Sequence, residues 1–190
     1  GKTTHQRQQR HIDLLSAMAK KNLVQVFISI TTLDRQLMQK MEPRATAPAK
    51  RLRTLHTLAA ANIPTGLMFA PVIPALNDSE LEKILMRAAE LGVERAGYVL
   101  LRLPYEIKLL FKEWLELHYP LKASHIMSII QQSRSGKDND AHFHTRMSGT
   151  GVFAELIKKR FHHACLRYGL NKNRSLTLDT QRFIKPVLSG

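Results

Sequence analysis

The chain is poor in cysteine. Cys165 is the only one among 190 residues. This excludes an internal disulfide, and any metal or iron–sulfur site built from several of the chain's own thiolates. No run of 18 apolar residues occurs, so no membrane-spanning helix is expected and a cytoplasmic location is. Acidic residues are scarce too, 15 against 29 lysines and arginines. The resulting net charge of +14 favours a polyanionic partner, DNA or RNA first. What is present is ordinary for a globular protein: 44% hydrophobic residues, enough for a sizeable core. The length suits one domain or part of a larger one. The chain opens on Gly1 rather than Met, so a preceding segment is expected.

The charge is unevenly spread. Residues 1–53 carry 11 Lys and Arg against 3 Asp and Glu, residues 54–120 carry 6 against 8, and residues 121–190 carry 12 against 4. The middle is near neutral and both ends are basic. The end segments are expected to flank a ligand-binding mouth. Lys158, Lys159 and Arg160, on the polar side of a long helix, are candidates for phosphate contact.

Hydrophobic periodicity orders the elements. Residues 1–9 are polar and basic without a period, and His11 to Lys21 reads as a short amphipathic helix. Strands are expected over Val24–Thr31, Thr65–Ala70 and Ala96–Leu101, where β-branched and apolar residues cluster. Helices are expected between them. One of these opens at Pro48, whose missing N–H costs nothing in a first turn. Another is introduced by Ser79 and Glu82, which fit a capping box. After Pro104 a helix should turn Ile107, Leu110, Phe111, Trp114 and Leu115 inward. A second helix covers Lys122 to Gln132, a polar loop covers residues 135–148, and a last helix runs from Thr150 to Tyr168 with Cys165 in its core. Short buried strands alternating with helices imply a parallel sheet with right-handed crossovers.

In parallel α/β proteins, ligands sit at the carboxyl ends of the strands. Ser29, Thr31 and Thr32 end the first strand, where their hydroxyls either meet a ligand or merely serve a good strand former. Arg44, in the following EPRA loop, is suited to a carboxylate or phosphate, or to an ion pair with Glu42. APVIPALND, from Ala70 to Asp78, is stiffened by two prolines. Its spare backbone groups either hold an adenine edge or simply turn the chain. Tyr98 and Arg102 fall near the end of the third strand, spaced to share a face. GKTT at Gly1 lacks the glycine and strand that would precede it in a phosphate-binding loop. His142, His144, His162 and His163 lack further ligands at a recognisable metal spacing.

Several segments in order carry a resemblance: SITTLD, MEPRA and AKRL, then IPTGLMFAPVIPALNDSEL, then AGYVLLRLPYEIKLLFKEWLELHYP, with RSGKDNDAHFHTRMSGTG and FIKP after them. Together they resemble the C-terminal part of radical S-adenosylmethionine (SAM) proteins. The closest group is the bacterial proteins similar to spore photoproduct lyase, described as DNA-repair photolyase-like. The resemblance spans residues 10–186 and departs from the group at residues 1–9 and at HFH.

The resemblance implies an α/β fold, half of a partial (βα)6 TIM-like barrel with three parallel strands plus C-terminal helices. It divides the chain into a half-barrel over residues 1–104, a helical extension over 105–170 and a basic tail over 171–190. It implies a lyase-like enzyme that cleaves SAM to a 5′-deoxyadenosyl radical, with DNA or RNA as a candidate substrate. The 4Fe–4S cluster of such enzymes is held by a C-x-x-x-C-x-x-C loop that this chain does not contain. Its ligands would belong to the missing N-terminal half of the barrel, and this chain alone would be inactive. By resemblance, Ser29 and Thr31 contact SAM, Arg44 or Arg51 pairs with its carboxylate, and Val72, Ile73 and Pro74 flank its adenine. Tyr98 and Arg102 face the substrate. The alternatives are a non-catalytic basic nucleic-acid-binding α/β module, or a degenerate scaffold.

Overall fold

A computed structural model describes residues 2–133, 149–172 and 177–182. The loop at residues 135–148, with His142 and His144, lies outside them, as does most of the basic tail, including FIKP. Among the described residues the order is α1 (Lys2–Ala19), β1 (Val26–Ile30), α2 (Arg35–Met41), α3 (Pro48–Ala60), β2 (Thr65–Val72), α4 (Leu81–Glu90), β3 (Arg95–Leu100), α5 (Ile107–His118), α6 (Pro120–Gln132) and α7 (Gly151–Tyr168). A short 3₁₀ turn, Asp78–Glu80, precedes α4.

The strands form one parallel sheet in the order β1-β2-β3. Each crossover is a helix, as parallel pairing requires. Val26 pairs with Thr65 and Ile30 with Phe69. The β2–β3 register shifts between Phe69 and Val72. Pro71 lies in that interval and has no N–H to give the ladder.

Alternation along the strands divides the sheet into two unlike faces. Ile28, Ile30, Leu67, Phe69, Tyr98 and Leu100 belong to or pack on the main core, with side chains of α3, α4 and α7. Phe27, Ser29, Met68, Ala70 and Val99 fall on the other face, and none of them joins a core. Phe27 is 42% exposed there. Its ring lies over Gly66, where any Cβ would collide with it. A second core sits beyond the strand ends, where Ile73 and Leu103 meet Leu115 of α5 and Ile126 and Ile130 of α6.

Several elements depart from the expectation. α1 begins at Lys2 rather than His11, because polar residues without periodicity can still continue a helix anchored further on. In α5 Leu115 is buried and Phe111 and Trp114 pack on the second core as expected, but Ile107 is 50% and Leu110 63% exposed. The capping box at Ser79 does not form: α4 starts without a side-chain cap, and Glu82 turns to Arg160 instead. No helix among the described residues is long and apolar enough to cross a membrane.

Candidate functional site at the strand ends

The carboxyl ends of β1 and β2 are tied together by Asn77, which is fully buried. Its amide nitrogen donates to the carbonyls of Thr31, at 2.7 Å, and Pro71, at 2.9 Å. Its amide oxygen accepts from the Ile73 N–H at 2.7 Å. One side chain thus satisfies three buried backbone groups that the sheet leaves over. Glu80 adds a second tie, accepting from the Thr32 hydroxyl and, at 2.7 Å, from the Leu33 N–H. The Thr32 hydroxyl oxygen accepts in turn from the Asp34 N–H at 2.9 Å. Asp34 then caps α2, its carboxylate accepting from the Gln36 and Leu37 amides.

Arg51, in the first turn of α3, organises the other side of β1. Its guanidinium donates to the carbonyl oxygens of Thr46 and Ser29, both at 2.8 Å, and to the Glu42 carboxylate at 3.0 Å. Glu42 therefore pairs with Arg51 and not with Arg44. Arg44 is exposed, and no described residue pairs with it. The loop after β1 is held against the strand by one spent guanidinium and presents a free one.

The expected residues are thus sorted by what they are already doing. Ser29 is exposed on the uncovered face of the sheet. Thr31 is 2% exposed, and its hydroxyl donates to the Ala70 carbonyl at 3.1 Å. Val72 and Ile73 are fully buried in the two cores and Pro74 is buried as well. Backbone groups of their loop are committed too: the Val72 carbonyl accepts from the Leu101 N–H, and the Ile73 carbonyl from the Leu76 and Asn77 N–H groups. As it stands, this loop is a wall and not an open cradle. Tyr98 lies on the helix-covered face, its ring 4.9 Å from that of Phe161 on α7. Burial raises the pKa of its phenol, with the charge of Glu155 acting in the same direction. Arg102 is partly buried in the segment between β3 and α5. Arg51 is brought to Ser29, through the Ser29 carbonyl; Tyr98 is on the other side of the sheet.

Asn77, Glu80 and the Arg51 clamp were not legible as a set. Asn77 reads locally as a helix cap, and its partners at Thr31 and Pro71 become neighbours only when the sheet forms.

Cys165 is buried and free. Burial pushes its thiol up to about 11, against a smaller opposing effect of the Asn171 hydrogen bond. It is therefore an inert core residue. Among the described residues no group of three or more His, Cys, Asp or Glu side chains can hold a metal ion.

Arg160 corrects the expectation of a free basic triplet on α7. Its Nε and Nη2 donate to the two Glu82 oxygens at 2.7 and 2.6 Å, and Nη2 also donates to the Asp78 carbonyl at 3.0 Å. Lys158 is exposed and sits 3.7 Å from Glu155. Of the three, Arg160 is a structural tie between α7 and the start of α4.

No family model and no solved structure matches the chain. It is similar to the uncharacterized protein ORF301 of Acidianus two-tailed virus, 32% identical over 91 residues, which is 45% of this chain and 30% of that protein. It is also similar to the uncharacterized protein Rv2578c of Mycobacterium tuberculosis (strain ATCC 25618 / H37Rv), 28% identical over 113 residues, 58% of this chain and 33% of that protein. The uncharacterized protein Mb2609c of Mycobacterium bovis matches to the same extent. The chain spans about a third of the length of the curated relatives it matches.

Proposed function

We propose that the chain is the SAM-side half of a radical SAM enzyme's partial (βα)6 barrel, acting on nucleic acid. The observation that carries this reading is the asymmetry of the sheet. Parallel sheets are normally buried on both faces. Here α3, α4 and α7 cover one face. The other keeps Ser29 and part of Phe27 exposed beside Met68, Ala70 and Val99. A face of that kind suits the lumen of a barrel whose remaining strands lie elsewhere. The matched relatives are about three times longer than the matched segment, so in them a second half-barrel has room.

In this reading Arg44 supplies a forked cation to the SAM carboxylate, and Ser29 supplies a hydroxyl on the lumen face. Arg51 is a positioning residue that fixes the Arg44 loop through Glu42, Thr46 and the Ser29 carbonyl. Asn77 and Glu80 hold the ends of β1 and β2 in register beneath it. Phe27, Met68 and Val99 provide an apolar wall that limits water. Val72, Ile73 and Pro74 act as the rigid backing of the pocket, since their side chains are already packed. The chemistry supplied by the bound cofactors is reductive cleavage of SAM and hydrogen abstraction. The single buried thiol does not fit the cluster, whose ligands would come from the other half.

In the full-length gene product, Arg44→Ala and Ser29→Ala are expected to weaken SAM binding. Loss of one charge-assisted hydrogen bond costs about 1.5–3 kcal/mol, so Arg44→Ala should lower affinity roughly tenfold or more. Equilibrium dialysis with labelled SAM measures this, and the circular dichroism spectrum should be unchanged. Unaltered affinity in both variants would remove the site from the end of β1.

A further inference from the structure

A cleft lies on the helical layer, away from the open sheet face. α1 and α3 bound a cleft of about 430 Å³, within the size range of small-ligand sites. Its floor is apolar, from Ile12, Leu15 and Leu58, and its rim carries His11, Lys50 and Arg53. Among the described residues no carboxylate lines it. Lys50 and Arg53 are exposed, and no described residue forms an ion pair with either. The Thr54 and Thr57 hydroxyls also line the cleft, but each donates at 3.0 Å to a carbonyl one turn back. The attraction the cleft exerts on an anion therefore comes from its cations. These belong to the strongly basic segment of residues 1–53, from α1 and the first turns of α3.

We propose that the α1/α3 cleft binds the phosphate backbone of a nucleic-acid strand. Among the described residues the lining offers cations and no aromatic ring, Asn or Gln, so the contact they make is to the phosphate backbone. The cleft lining does not include Arg51, whose guanidinium is committed at the end of β1. The inference rests on the nucleic-acid part of the proposed function and not on its radical SAM chemistry, and loss of SAM cleavage would leave it standing.

The test is a fluorescence-anisotropy titration of the full chain with labelled dT20, dA20 and a 20-nucleotide RNA (probe lengths of about 20 cover several phosphates) across a salt series. The double variant Lys50→Glu/Arg53→Glu is compared with Lys83→Glu/Lys112→Glu, which changes net charge equally at exposed positions elsewhere. Binding by the unmodified chain should be similar for the three probes. The cleft variant should flatten the slope of log affinity against log salt by about 1.4, two contacts at about 0.7 each. The matched control should keep the slope. Lys50→Gln/Arg53→Gln should flatten it in the same direction with circular dichroism unchanged. Absence of binding at low salt would overturn the proposal, as would equal losses in cleft variant and control. Binding to vesicles containing phosphatidylserine without binding to any oligonucleotide would assign the cleft to membranes and overturn it too.

Discussion

Replacing Asn77 by aspartate is expected to remove a large part of the folding stability of the domain. The two side chains have nearly the same shape, so the change isolates hydrogen bonding. A carboxylate can still accept from the Ile73 N–H, but it faces the carbonyl oxygens of Thr31 and Pro71, which now receive two N–H bonds. Each buried group left without its partner costs about 1–3 kcal/mol. Two such groups, plus a carboxylate opposed to two carbonyls, suggest a loss on the order of 4 kcal/mol, against a typical total of 5–15. The variant should also acquire a pH dependence. Burial beside acceptors raises the pKa of the new carboxyl in the folded state, so the folded protein holds its proton longer than the unfolded chain. Stability should then fall as pH rises above the ordinary carboxylate range. Urea unfolding at pH 4.5 and pH 7.5 tests both claims at once. A variant as stable as the parent at pH 7.5 would mean that Asn77 is not the tie described.

The second large effect is expected at Arg160. This guanidinium joins α7 to the start of α4 through Glu82 and Asp78, with its Nη1 3.5 Å from the Asp78 carboxylate. The Arg160 hydrogen bond is the main cause holding Glu82 below its ordinary value near 4.5, against an opposing effect of burial. The same bond raises Arg160 itself. The pair is partly exposed, with side-chain accessibilities of 25% and 40%, so solvent screening reduces its worth. Arg160→Met should cost about 1–2 kcal/mol. Arg160→Glu, which sets three carboxylates together, should cost on the order of 3 kcal/mol. A carboxylate with a lowered folded pKa gives stability that is present above its unfolded value and lost as pH falls through its folded one. The difference between parent and Arg160→Met should therefore shrink in acid, and the repulsion in Arg160→Glu should ease as its carboxylates protonate. Thermal unfolding of the three proteins from pH 7 to pH 3 reads this. A constant difference across that range would mean that the Glu82 pair contributes nothing.

What the sequence made legible follows the range of the forces involved. VFISIT and TGLMFA read as strands because β-branched and apolar residues cluster between polar or Pro-containing punctuation. Helix spacing between them requires parallel pairing, and β1-β2-β3 is that arrangement. Pro48 opening α3 and Gly92 following α4 are local rules that hold. Apart from the early start of α1, the failures are long-range. Glu82 reads as the far end of a capping box until Arg160, 78 residues away, competes for it. Arg44 and Arg51 are equivalent in sequence as anion binders, yet one is consumed by Glu42 and two carbonyls while the other remains free. Tyr98 has the right distance along its strand from Arg102, but Phe161 decides which face its ring packs on. The apolar side of α5 is broad, and only the second core shows that Leu115 is buried while Ile107 and Leu110 at its edge are exposed.

The central claim is that this sheet is half of a cofactor-bearing barrel. The most direct measurement is made on the full-length gene product, purified without oxygen and reconstituted with iron and sulfide. It should show the absorption and reduced-state EPR signals of a 4Fe–4S cluster, and release 5′-deoxyadenosine from SAM after reduction. A full-length protein that acquires no cluster and leaves SAM intact under those conditions would contradict the account.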